Sequence, residues 1–276
     1  MRVAAAVLAG VVLLYAQVAV GLVRQWTSDP AASYGLLLAA AALFLLIQRW
    51  PALRGVPVQP ATGGIAIAVI AMLIYLAGAI AGDLFVQRVS LPLTVVGAVY
   101  AIAGPALLRR VIAPIALLAL ALPLPAIVVT FVTLPMQLVA SQIAADLLNI
   151  SNIHAVRQGN LLVLDSITLE VAEACSGLQS LMSLTSVAAV GAALLPINWW
   201  GRILMFAAVL PIAIIGNGLR VAATGVLGTW FGRVAVEGVI HEMTGYVAFA
   251  AMCAGMFALL WIGRFSPTTR INGARA

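Results

Sequence analysis

Long apolar runs recur along the whole chain, separated by short segments that hold nearly all of its charges. A hydrocarbon core of about 30 Å takes roughly 20 apolar residues in a helix. That rule predicts eight spans, over 4–23, 32–47, 64–81, 91–108, 111–129, 176–195, 203–223 and 244–262. Pro92, Pro105, Pro114, Pro123 and Pro125 interrupt the middle of this series. Neighbouring helices can satisfy the carbonyls that such prolines free. Two further segments break the pattern. Residues 134–149 carry apolar positions at helical spacing with Gln137, Ser141, Gln142 and Asp146 opposite, which predicts an amphipathic helix at the membrane interface. Residues 160–171 read as two short β-rich runs around Asp165-Ser166, a hairpin.

Composition strengthens the membrane reading. Of 276 residues 64% are apolar and only 8% charged, against about 25% charged in a soluble domain. The fold class is therefore an all-α polytopic membrane protein, with about eight transmembrane helices, a short extracytoplasmic β-hairpin and an interfacial helix. The net charge of +6 comes from arginines alone, scattered singly or in pairs rather than in a basic stripe. This speaks for arginines flanking spans and against a nucleic-acid partner. With the N-terminus inside, Arg2, Arg49, Arg54, Arg109, Arg110, Arg202, Arg264, Arg270 and Arg275 fall on the cytoplasmic side, and Arg24, Arg88, Arg157 and Arg233 outside. The positive-inside rule favours that orientation, with both termini cytoplasmic. The whole chain reads as a single integral membrane domain: N-terminal spans over 1–90, a core over 91–262 and a cytoplasmic tail over 263–276.

Candidate chemistry gathers in the second half. The densest polar cluster is Glu170-Val-Ala-Glu173-Ala-Cys175-Ser176-Gly177-Leu-Gln179-Ser180, where the hairpin meets the sixth span. A cysteine at the N-cap of that span would have its thiolate favoured by the helix dipole, and Gly177 leaves room for a close backbone approach. A buried, inert cysteine beside a capping serine is the alternative. Cys253, in an apolar run, reads as a packing residue. In the seventh span Asn217, Arg220 and Thr224 share one helical face. An arginine in a membrane helix faces a protein interior, a cavity or a partner, or else snorkels to the headgroups. His241-Glu242 precedes the last span. With two histidines in the chain and no second histidine after His241 at metalloprotease spacing, a metal site is not expected.

The inferred topology puts Cys175, Arg220 and His241 in one leaflet, at the ends of three spans. They would serve as nucleophile, oxyanion stabiliser and proton shuttle respectively. Glu173-Ala-Cys-Ser-Gly177, Asn217-Gly-Leu-Arg220 and His241 ahead of the final span resemble the three signature blocks of exosortases, relatives of the archaeosortases. Arg157-Gln-Gly-Asn160 is similar to that family's outer hairpin. The resemblance implies a cysteine transpeptidase or protease of the bacterial inner membrane, without cofactor, working at the outer face with catalytic Cys175, Arg220 and His241. Glu173, Ser176, Gly177, Asn217 and Arg157 are then supporting or substrate-binding residues. It implies partners too: membrane lipid, and secreted proteins ending in a PEP-CTERM-type sorting signal, that is a motif, one transmembrane helix and a basic tail. Such enzymes often accompany exopolysaccharide loci. Arg157, Arg220 and Arg233 are the candidates to hold an acidic residue of the motif. A non-enzymatic transporter or assembly factor for exopolysaccharide is the competing reading, with Arg220 and Asn217 lining a path. The halves show none of the symmetry that transporters often carry.

Overall fold

The computed structural model describes residues 2–165, 167–171, 176–232, 236 and 238–264. In order, these form α1 (Arg2–Ser28), α2 (Tyr34–Arg54), α3 (Gly63–Ala81), α4 (Leu84–Ala103), α5 (Pro105–Leu120), α6 (Ala126–Ile150), β1 (Ala155–Gln158), β2 (Leu161–Leu164), β3 (Thr168–Glu170), α7 (Leu178–Leu194), α8 (Trp199–Phe231) and α9 (Val239–Arg264). Among the described residues seven helices are long and apolar enough to cross a membrane, and the apolar α7 has 17 residues. The protein is a multi-pass helical membrane protein.

Three predicted segments differ in their bounds. The run predicted as one span over 111–129 is divided: α5 ends at Leu120 and α6 begins at Ala126, with Pro123 and Pro125 between them. Pro92, Pro114 and Pro135 instead lie inside helices, and Pro105 starts one. A first-turn proline loses no helical bond, whereas two prolines in three residues remove adjacent donors together. The helix predicted over 134–149 therefore extends back to Ala126. Its 25 residues suffice to cross a membrane, and its polar Gln137 and Ser141 are buried. The fourth predicted span begins earlier than expected because Asp83 caps it, its Oδ1 accepting from the backbone N–H of Phe85 and Val86.

The chain forms two compact units, Met1–Pro125 and Ala126–Ala276. In the first, Gly64 and Gly97 let α3 and α4 approach backbone to backbone; a Cβ on Gly64 would lie 2.1 Å from the Ala101 nitrogen. The buried Tyr15 hydroxyl of α1 sits 2.8 Å from both Ser90 Oγ and Thr94 Oγ1 of α4. Helix α5 lies antiparallel to α2. At one end Arg49 donates to the Arg110 carbonyl, and at the other Tyr34 donates to the Leu122 carbonyl beside the Trp26 Nε1 bond to Ala121.

In the second unit α8 is the axis. Gly218 admits Ile143 of α6, Gly225 admits Leu148 of α6, and Gly216 admits Met252 of α9. One apolar core joins α7, α8 and α9 through Leu184, Met205, Val209, Met252 and Met256. A second joins Leu148 of α6, Val221 and Ala222 of α8, and Leu162, Leu169 and Val171 of the sheet segment. The sheet has the order β1-β2-β3 with both pairings antiparallel. The predicted hairpin is β2–β3, closed by a bond from the Leu164 N–H to the Ile167 carbonyl. β1 is an extra strand, turned into β2 at Gly159, whose φ is +65°.

Candidate functional site

Helix α8 is 33 residues long. At 1.5 Å per residue, Arg220 stands roughly 30 Å along it from Trp199, about one hydrocarbon thickness. Trp199, Trp200 and Arg202 mark the start of α8, the first two exposed as interfacial aromatics are. Arg220 does not reach out alone. Its Nη2 lies 3.4 Å from Nε2 of His241, in the first turn of α9. A guanidinium has only donors, so Nε2 is the acceptor. Arg220 Nε is buried with no hydrogen-bond partner among the described residues. The Arg220 carbonyl accepts from Thr224 Oγ1, and the His241 carbonyl from Thr244 Oγ1, so each element is braced within its own turn. Gly245 faces the pair: a Cβ there would lie 3.1 Å from Arg220 Nη2. The sequence singled out Arg220 and His241, but not Gly245. The signal for it was a glycine four residues after His241, one turn along the same face.

One turn before Arg220, Asn217 is 1% exposed. Gly177 sits against it with φ +88°, and a Cβ on Gly177 would meet Asn217 Cγ at 2.9 Å. The close approach expected at Gly177 is thus made by a side chain rather than a backbone. The contact fixes the start of α7 beside Arg220's helix. Ser176 is fully buried, its Oγ accepting from the Leu178 N–H. The N-cap of α7 is Gly177, so the helix starts later than the expected Ser176 and Cys175 precedes the cap by two residues. Cys175 and Glu173 lie outside the described residues, as does Arg233. Arg157 is not brought to the pair. It is exposed on β1 and donates to the Gly159 carbonyl of its own hairpin.

Between α8 and α9 runs an apolar cleft of about 640 Å³. Gly216, Ala223, Ala248, Ala251 and Gly255 keep its walls low, and Arg220 and Thr244 supply its polar edge.

The architecture and this end of α8 define a class: a polytopic helical membrane protein with an arginine of one apolar helix held against a histidine of the next. Residues 26–258 match the family described as transmembrane exosortase (Exosortase_EpsH), and the chain belongs to that family. No curated protein and no solved structure matches it.

Proposed function

We propose that the protein is a membrane-embedded cysteine transpeptidase or protease that cuts the C-terminal sorting signal of exported proteins. The observation that carries this reading is the Arg220–His241 pair, one turn from the Asn217 that seats Gly177. Cys175, the nucleophile, stands two residues before Gly177 in the chain. In the reaction the Cys175 thiol gives its proton to His241, and the thiolate sulfur attacks the scissile carbonyl carbon. Arg220 faces the negative charge that gathers on the carbonyl oxygen; a fixed cation in a dry site costs little reorganisation at that moment. The C–N bond then breaks, His241 returns the proton to the departing amine, and a thioester remains on Cys175. Water or an acceptor nucleophile releases it. Glu173 and Ser176 flank the nucleophile in the chain and support it, and Asn217 positions α7.

The α8–α9 cleft is the groove for the substrate's transmembrane helix. Low glycine and alanine walls let a helix backbone come close, which is how helices associate in lipid. A wall that is apolar apart from Arg220 and Thr244 gives a hydrophilic cargo no path, so the transport reading gains nothing from it. The enzyme sits in a bacterial inner membrane with both termini cytoplasmic and the Arg220–His241 end outside. In the first unit Arg49 and Arg110 meet at one end, with Arg54 and Arg109 close by in sequence, whereas Arg88 bonds Gln25 at the other. The larger basic group belongs inside, which supports a cytoplasmic N-terminus for the first unit.

The test is coexpression with a secreted protein from the same genome that ends in motif, transmembrane helix and basic tail. Wild type should shorten it, and Cys175→Ala and Arg220→Ala should leave it intact at unchanged enzyme levels. Undiminished processing by Cys175→Ala ends the nucleophile assignment.

A further inference from the structure

The two outer strands of the sheet treat their free edges differently. Antiparallel pairing makes alternate residues of a strand bond the neighbour, while those between them point their N–H and C=O away. On β3 and its continuation, Ile167 accepts from Leu164 and Val171 donates to the Asn160 carbonyl. Thr168 and Glu170 therefore face outward, and among the described residues nothing pairs with their backbone groups. On β1 the outward place at Ala155 is taken. Asn149 Oδ1 accepts from the Ala155 N–H at 3.1 Å, and Asn149 Nδ2 donates to the Ala155 carbonyl at 3.0 Å. An unpaired edge invites another strand, and proteins cover the edges they do not use. Here a side-chain amide closes the β1 edge at Ala155, leaving Arg157 as its other outward residue, whereas both outward residues of β3 are open.

The open edge also belongs to the strand that precedes the proposed nucleophile in sequence. β3 ends at Glu170, five residues before Cys175 in the chain. Leu169 and Val171 are buried in the core with Val221 and Ala222 of α8, so the edge is fixed to the helix that carries Arg220. Thr168 and Glu170 are exposed. From this we infer that the free edge of β3 is the docking site for the substrate: an extended peptide segment adds as a fourth strand and is led along β3 toward Cys175. Thr168 and Glu170 each offer it one donor and one acceptor. Main-chain bonding supplies affinity with little demand on side chains. A ledge of two residues suits a substrate also held by its transmembrane helix. Arg157, on β1, lies two strands away and is not part of this ledge. The inference rests on the transpeptidase reading above and names the subsite that reading lacks.

The experiment uses purified full-length enzyme and a peptide copied from the reporter that wild type processes, with single backbone N-methyl groups scanned across the residues around the cut. Strand addition predicts losses that alternate: methylation of an amide facing β3 slows processing about fivefold or more, the loss of one net hydrogen bond, and the residue between is tolerated. A second arm is Thr168→Pro, which deletes one outward N–H and no β2 bond, as edge strands allow. It should slow processing with the membrane level and the monodispersity of the purified protein unchanged. A flat or unbroken methylation profile overturns the docking site even if Thr168→Pro fails to fold. So does a Thr168→Pro protein that processes normally but changes oligomeric state, which would give the edge to a second copy. Wild type that processes nothing sinks the transpeptidase reading first, and this inference with it.

Discussion

Two glycines hold the neighbourhood of Arg220 open. Gly177 adopts φ +88° against Asn217, so alanine there adds left-handed strain to a 2.9 Å clash. Gly177→Ala should cost about 2 kcal/mol, read as a lowered melting midpoint in detergent. Asn217→Ala in the same chain should recover part of it by removing the Cγ and Nδ2 contacts, leaving only the 3.0 Å approach to Cβ. Gly245 has space for a Cβ only by moving the Arg220 guanidinium, 3.1 Å away. Gly245→Ala should therefore slow processing with little effect on the midpoint, and an unchanged rate would show that the Arg220–His241 spacing is unimportant. Asn217, Arg220 and Thr224 were legible as a set because spacings of three and four residues put side chains on one helical face. Asn217 and Thr224 are buried as that face requires. That His241 is Arg220's neighbour was legible only as a shared leaflet. Which atoms meet depends on how α8 and α9 pack, and no local pattern encodes that.

At the scale of elements, hydropathy located the helices, and the bounds it missed have local causes. Asp83 starts α4 early, and Pro123 with Pro125 ends α5 before α6 begins. The apolar residues 126–129 were assigned to the preceding helix, and 130–133 to none, although all belong to α6. β1 was not legible from periodicity, because four residues with one buried position carry no alternation to detect, and only the resemblance at Arg157-Gln-Gly-Asn160 pointed to it. Helix contacts make sharper predictions. Gly218 is filled by Ile143, a Cβ there lying 2.6 Å from its Cγ2, so Gly218→Val should separate α6 from α8 and cost about 2–3 kcal/mol. Gly255 has nothing within 4 Å yet lines the cleft. Gly255→Leu should leave the melting midpoint near wild type while impeding entry of a substrate helix. Normal processing by that variant would remove the cleft from the account.

For the whole molecule, charge distribution carries the argument about sidedness. With both termini inside, a cysteine placed at the exposed Asp165 in a Cys175→Ala, Cys253→Ala background should react with a membrane-impermeant maleimide added to intact spheroplasts, and one at the exposed Val58 in the same background should not. The reverse pattern would invert the protein and move the Arg220–His241 end to the cytoplasm.

The central claim is that one thiol shares a site with a guanidinium and an imidazole. Its most direct test is the alkylation rate of Cys175 by iodoacetamide in a Cys253→Ala protein. The account predicts a reactive thiol whose rate falls roughly tenfold in His241→Ala, as loss of a paired base removes thiolate, with Arg220→Ala also altering it. A Cys175 that reacts no faster than an ordinary thiol, at a rate indifferent to both substitutions, would contradict it.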